Sequence, residues 1–301
     1  MSAAPNGAVA WRGALPWWSK IAAKLVLSRL PVSGRTWQRL GLFSPGYMLD
    51  PDYAISIFRQ HYGHAGRPAP GFRYLELGPG DSLATAVIAW AHGAAAGWLV
   101  DAGAYAAWDI AQYRPLFERL ETMDLPRSTA ALRDCATIED MLARTNCTYR
   151  EDGLAGLRVI PTGSLRMVFS QAVLEHVPRH EFTATVAEMH RILAADGTAS
   201  HQVDFKDHLG GSLHNLRFSD SLWERPWFAA RSGFYTNRLR LSEVRTAFET
   251  EGFHVEVRDI RLWDRPPLPR DQLAAQFRAC SDDDLRTQGA LLIATPAKPH
   301  G

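Results

Sequence analysis

Two stretches of this 301-residue chain hold most of the side chains able to do chemistry. The first is the run Glu76-Leu77-Gly78-Pro79-Gly80-Asp81, where an apolar segment carrying one acid breaks into two glycines around a proline. Glycine lets a backbone turn tightly and approach a ligand with no Cβ in the way. Asp101 follows about twenty residues later, a spacing at which an acid can accept hydrogen bonds from ribose hydroxyls. The second is a histidine-rich stretch. Six of the eleven histidines, His176, His180, His190, His201, His208 and His214, fall between positions 176 and 214, with Asp204 and Asp207 among them. Acids around a glycine turn suit a cationic or hydroxyl-bearing ligand, and imidazoles suit proton acceptance near neutrality.

These residues need elements to hold them. Strand-like segments at 72–77, 97–101, 147–151, 166–170, 198–204, 253–261 and 289–295 alternate with helical patterns at 82–92, 104–120, 133–145, 180–195 and 241–251. Phe182, Val186, Met189 and Leu193 make one apolar face of the fourth of these helices. The alternation predicts an α/β fold: a doubly wound, mostly parallel, Rossmann-like sheet of seven strands with helices on both faces. Ligands in such sheets bind beyond the carboxyl ends of the strands. That rule selects Glu76 to Asp81, Asp101, Gln171 to His176 and Asp204 to His208. Trp17, Ile21 and Leu25 predict a helix over 17–30, ended by Pro31, and a second helix is expected over 51–61. The chain is therefore divided into an N-terminal helical extension or lid, 1–66, and a main domain, 67–301. An irregular, aromatic-rich insertion after the fifth strand, 205–240, is expected on the acceptor side.

Composition narrows the partners. Hydrophobic residues make up 46% and charged residues 22%, as in an ordinary globular enzyme. A net charge of +1 gives no electrostatic reason to expect nucleic acid. Cys135, Cys147 and Cys280 are scattered, which argues against a disulfide framework or a zinc cluster and suits a reducing compartment. The opening segment is interrupted by Arg12, Pro16 and Lys20, so neither a cleaved leader nor a membrane span is expected, and the expected location is the cytoplasm. Trp11, Trp17, Trp18, Lys20 and Lys24 admit a second reading, peripheral membrane contact through residues 11–30.

The glycine turn has two candidate ligands. A dinucleotide site would want a small third residue in G-x-G-x-x-G, where this chain has Leu83. Glu76 would also repel a phosphate. S-adenosylmethionine has no phosphate and carries an ammonium, a sulfonium and ribose hydroxyls, which the two acids complement. ELGPGDS resembles the first motif of class I S-adenosylmethionine-dependent methyltransferases. VFSQAVLEHV, residues 168–177, resembles their fourth-strand motif, and MHRILAADG, 189–197, their passage from helix to fifth strand. The three occur in order over roughly residues 70–205. Ser82, Leu165-Arg166 and Ala195-Asp196 depart from the common pattern and leave the subfamily open.

The resemblance implies that Glu76, Gly78, Pro79 and Gly80 surround the methionine part of the cofactor. It implies Asp101 on the ribose, Asp152 near the adenine and Gln171 beneath the cofactor. It further implies methyl transfer to a small-molecule or glycan-like acceptor, with oxygen the expected atom. The acceptor-side candidates are His176, Asp204 and His208, with Glu175 behind them. Arg217, Arg231, Arg238 and Arg240 are candidates for an anionic substrate group or are simply surface charges. No metal is expected, because the His176–His180 pair lacks the intervening glutamate of H-E-x-x-H and has Pro178 within it.

Overall fold

The structure, a computed structural model, describes residues 47–229 and 234–297. The helix expected over 17–30, the membrane reading of 11–30 and Arg231 lie outside the described residues. Seven strands form one sheet: β1 (Arg73–Leu77), β2 (Ala96–Val100), β3 (Cys147–Arg150), β4 (Leu165–Gln171), β5 (Leu193–Asp204), β6 (Phe253–Leu262) and β7 (Thr287–Pro296). Their order is β3-β2-β1-β4-β5-β7-β6. All neighbouring pairs are parallel except β5–β7 and β6–β7, which are antiparallel. The doubly wound, mostly parallel sheet expected from the sequence is the one observed, and its order reverses direction between β1 and β4.

Strand alternation explains the two cores. On β4, Met167 and Phe169 face one side of the sheet and Val168 the other, as the two-residue period requires. The first face is covered by α1 (Pro51–His64), α2 (Ala84–Ala91) and α3 (Arg114–Glu121), which bury Phe58, Val87, Ile88, Phe117 and Leu120. The chain then passes through α4 (Ile138–Arg144), whose Ile138 and Met141 join the same core. The second face is covered by α5 (Leu154–Arg158), α6 (Phe182–Ile192) and α9 (Leu241–Thr250), with Leu157, Val186, Met189, Val244 and Phe248. The short α7 (Asp220–Trp223) and α8 (Pro226–Ala229) lie in the insertion, and α10 (Asp282–Arg286) precedes β7.

Helix α1 shows how the N-terminal part joins the sheet. Asp50 caps it, its side chain accepting from the Tyr53 amide at 2.8 Å, and Pro51 opens the first turn where no amide donor is needed. Its Phe58 meets Phe169 of β4 edge-on, with ring centroids 6.2 Å apart. Burying such a ring contributes roughly 1.5–3 kcal/mol. Residues 104–109 are not helical, contrary to the expected span 104–120. Asp109 caps a short 3-10 turn at Ile110, and the regular helix begins only at Arg114. Among the described residues, no helix is long and apolar enough to cross a membrane.

The insertion is not simply irregular. Leu209, Trp223, Phe228 and Phe234 bury themselves as one small cluster, and Leu213, Leu216, Leu268, Leu273, Phe277 and Leu285 form another. Arg238 and Arg240 are buried within this framework. Arg238 pairs with Asp220 and lies over the Trp223 and Phe277 rings. Arg240 donates to the carbonyls of Phe205, Asp284 and Thr287. Both are buried and serve the fold, which corrects both readings, the surface charge as well as the anionic-substrate ligand. Arg217 donates to Gln272 at 2.6 Å and to His214 at 3.2 Å.

Candidate functional site

A cavity of about 670 Å³ opens at the carboxyl ends of β1, β2 and β4, where the strand order reverses. Its size suits a ligand of nucleoside scale. Its floor is the turn after β1. Gly78 and Gly80 adopt φ values of +70° and +66°, a region that L side chains avoid. A Cβ on Gly78 would stand 2.5 Å from both methyls of Val173, whereas one on Gly80 would meet nothing within 4 Å. The turn is fastened to β2. Gly78 donates to the Val100 carbonyl at 2.7 Å, and Gly80 donates to Asp101 Oδ2 at 2.9 Å. Asp101 Oδ1 accepts from Ala102 at 2.7 Å, and its carbonyl accepts from Gly153 at 2.8 Å. Three strand ends are thus tied together by backbone donors before any ligand arrives.

Glu76 sets the electrostatics. It is 2% exposed, lines the cavity, and its Oε2 is buried without a hydrogen-bond partner. Burial pushes its carboxyl up to about 8, and the charge of Asp101 adds to the shift. Asp101 is also raised by burial, while the amides of Gly80 and Ala102 oppose the rise. A buried acid with an unpaired oxygen on a cavity wall is costly unless a cation or donor comes to it. At the start of α2 the opposite holds. The Leu83 amide donates to Tyr113 Oη at 3.0 Å and the Ala84 amide to Ser82 Oγ at 3.1 Å. These helix-start donors, which a phosphate would seek, are already engaged.

Gln171 ends β4 against the same cavity. Its Oε1 lies 3.2 Å from His61 Nε2, and His61 Nδ1 lies 2.8 Å from Ser200 Oγ. An amide oxygen only accepts, so Nε2 carries the proton and Ser200 donates to Nδ1. Burial lowers His61 to about 4, which keeps the ring neutral. The next residue, Ala172, takes φ of +54° and donates its amide to the Gln202 carbonyl at 2.8 Å.

The other half of the site is built from distant segments. His176, in a 3-10 turn after β4, donates Nδ1–H to the Tyr235 carbonyl at 3.0 Å, leaving Nε2 as an acceptor. Its ring is exposed at the cavity; the protein packed around it, with His208 beside it, lowers its pKa to about 4. The His208 ring centroid is 4.8 Å away. His208 is held there by its neighbour Asp207. One carboxylate oxygen of Asp207 accepts from the amides of Leu209, Gly210, Gly211 and Ser212, and the other from His214. Asn237 clamps the His176 turn. Its Nδ2 donates to the carbonyls of Leu174 and Val177, and its amide donates to Glu175. Glu175 is buried with both carboxylate oxygens unpartnered, and burial raises its carboxyl to about 8.

Of the residues named from sequence, Glu76, Gly78, Pro79, Gly80, Asp101, Gln171 and His176 line the cavity together. Asp152 does not. Its carboxylate is paired with Arg150 at the surface, and it is the following Gly153 and Leu154 that line the wall. Asp204 is engaged with Lys206, at 3.5 Å, and sits outside the lining, as does His208. His180 is exposed and lies 3.6 Å from Glu181, apart from the His176–His208 contact. Met48, Tyr53 and Tyr105 also line the cavity and were not singled out from sequence. No periodicity marks them. Gly153, in contrast, follows an aspartate, and Asp-Gly is a turn signal after a strand.

No protein-family profile matches the chain, and no curated protein matches it. Among solved structures it is similar to a chain from a Haloferax volcanii complex of a methyltransferase activator with a methyltransferase. The identity is 16%, over 82% of this chain and 95% of that one, with a TM-score of 0.40. It is similar to Haemonchus contortus phosphoethanolamine N-methyltransferase 2 at 14% identity, over 82% of this chain and 53% of that one, with a TM-score of 0.45. The chain thus spans about half of the Haemonchus protein. It is also similar to an Archaeoglobus fulgidus S-adenosylmethionine-dependent methyltransferase at 9% identity, over 81% and 94% of the two chains, with a TM-score of 0.43.

Proposed function

We propose that this chain is an S-adenosylmethionine-dependent methyltransferase acting on an oxygen of a small-molecule or glycan-like acceptor. The observation that supports it most is Glu76, a buried carboxylate with an unpartnered oxygen beside a glycine turn in a nucleoside-sized cavity. A ligand bearing an ammonium supplies what that oxygen lacks. The open space in front of Gly80, where a Cβ would project, leaves room for the ligand against the backbone. The engaged donors at the start of α2, with a buried acid and, among the described residues, no basic side chain beside the turn, disfavour a pyrophosphate, and with it a nicotinamide cofactor.

The residues would divide the work as follows. Glu76 would hold the ammonium of the methionine part, with the Gly78–Gly80 backbone alongside. Asp101 accepts one amide on each carboxylate oxygen, so each keeps a lone pair for a ribose hydroxyl. Gly153 and Leu154, rather than Asp152, would flank the base. Gln171, held by His61, would present its amide nitrogen to the cavity. When bound, the cofactor supplies a methyl group on a sulfonium that is already activated for displacement. The protein's task is then alignment and exclusion of water. His176 Nε2, a neutral acceptor on the cavity wall, would accept the hydrogen bond of an acceptor hydroxyl and orient its oxygen.

Calorimetry with S-adenosylhomocysteine and with an oxidised nicotinamide dinucleotide tests the reading. Saturable binding of the first alone is expected. Binding of the dinucleotide, or of neither, overturns it. Turnover with hydroxyl-bearing acceptors then separates an enzyme from a protein that only binds the cofactor.

A further inference from the structure

Glu175 raises a question that the proposed function does not answer. It is 4% exposed, and neither carboxylate oxygen has a hydrogen-bond partner. The obvious rescue, a hydrogen bond to one of the two imidazoles beside it, is not made. Yet ligand atoms of Glu175, His176 and His208 all lie within 4.8 Å of one another. We propose that these three residues form a binding site for a divalent transition-metal ion.

The surroundings are built to hold such a set. His176 Nδ1 is committed to the Tyr235 carbonyl at 3.0 Å, which fixes the tautomer and leaves Nε2 to ligate. A hydrogen bond on the far nitrogen is the usual support of a metal-bound histidine. The Asn237 clamp fixes the turn that carries Glu175 and His176, and the five amides on Asp207 fix the loop that carries His208. Two imidazole nitrogens and one carboxylate make a mixed donor set that suits Zn²⁺, Fe²⁺ or Co²⁺, whereas Ca²⁺ and Mg²⁺ prefer oxygen alone. Metal–ligand distances of about 2.0–2.2 Å require the three side chains to close slightly around the ion. The ion would neutralise the buried carboxylate. Three protein ligands leave positions open, and His176 lines the cavity, so an acceptor oxygen is the natural further ligand. With the ion bound, His176 Nε2 ligates it and the acceptor oxygen meets the ion instead of hydrogen-bonding Nε2 directly; that role rests on the methyltransferase reading, and the binding of the ion does not.

The test uses the full chain after chelation and desalting. Co²⁺ is titrated and followed by its visible d–d absorption, with Zn²⁺ titrated by calorimetry. One saturable equivalent of each is expected. Glu175→Gln and His208→Ala should each weaken binding by at least about tenfold, with unfolding midpoints measured alongside. His208 is exposed, so its variant remains informative if the buried Glu175 variant folds poorly. Absence of a saturable Co²⁺ spectrum, or an unchanged one in His208→Ala, overturns the proposal. S-adenosylhomocysteine is titrated into the same samples. Binding of it without Co²⁺ binding refutes the metal site alone, and Co²⁺ binding without it refutes the cofactor reading alone.

Discussion

The carboxyl ends of β1 and β4 each lead to a buried glutamate, and the two could hardly be built more differently. Glu76 and Glu175 are both held near 8 by burial, and both have oxygens with no partner. Around Glu76 the support is local: a two-glycine turn, and Asp101 reaching back across one strand to the Gly80 amide. Around Glu175 it is remote. Asn237 and Tyr235 arrive from some sixty residues downstream, and His208 from a loop organised by Asp207. The local half follows from the fold, since any chain wound this way places a turn there. The remote half must be specified by the insertion, which supplies Tyr235, Asn237 and His208.

That contrast can be broken at several points. The largest effect is expected from Gly78→Ala. Positive φ and the 2.5 Å approach to both Val173 methyls should together cost roughly 2–4 kcal/mol in urea unfolding, with loss of S-adenosylhomocysteine binding. Gly80→Ala has only the backbone strain, roughly 1–2 kcal/mol. Equal losses in the two would mean that Val173 does not brace the turn.

Next in size is His176→Ala, which should lower turnover on a true acceptor by about 100-fold, within the range of lost general-base or orienting groups. Its affinity for S-adenosylhomocysteine should stay within about twofold. Equal losses in both measurements would move His176 into the cofactor half.

Glu76→Gln should weaken the same ligand by roughly 1.5–3 kcal/mol, the worth of a hydrogen bond to a charged group, and Asp101→Ala by roughly 1–3 kcal/mol. Glu76 also predicts a proton signature. Its carboxyl is mostly protonated at pH 7 in the free chain, and a ligand ammonium favours the carboxylate. Binding at pH 7 should therefore release up to one proton, seen as a dependence of the calorimetric heat on buffer ionisation. Affinity should rise with pH and level off above about 8. The proton release should vanish in Glu76→Gln. For folding the sign is opposite. The folded chain binds more protons than the unfolded one between the ordinary carboxyl value of 4.5 and about 8. The contribution of Glu76 to stability is thus full below 4.5 and declines through that window. The smallest effect is expected from Asp152→Ala, under about 0.5 kcal/mol on binding, because its carboxylate is spent on Arg150 at the surface.

The same contrast governs what could be seen in the sequence. The strands, the β1 turn, Asp101 and Gln171 were legible because period-two alternation, glycine and the strand-end rule act within a few residues. Asp152 lies one position off the cavity wall, which is formed by the glycine that turns the chain and not by the acid before it. The partners of Leu213 and Leu216 in their core, Leu268, Leu273 and Phe277, were missed because they sit in loops and 3-10 turns with no repeat between them. Arg238 and Arg240 looked like surface cations because nothing in their neighbourhood announces the carbonyls and rings that enclose them. His176 and Glu175 were visible as candidates, but their meeting with His208 depends on five amides converging on Asp207, which no local pattern encodes.

The aromatic cluster around Trp223 satisfies its own hydrophobic demand instead of completing either face of the sheet. That cluster is the part of the insertion that can vary with little demand on the sheet. The insertion's borders are shared with the rest of the chain: Leu213 and Leu216 pack with Leu268, Leu273, Phe277 and Leu285, and Arg240 reaches the carbonyls of Asp284 and Thr287. A chimaera that exchanges the insertion must therefore carry the 268–286 stretch with it, and it can leave the parallel strands β1 to β4 untouched.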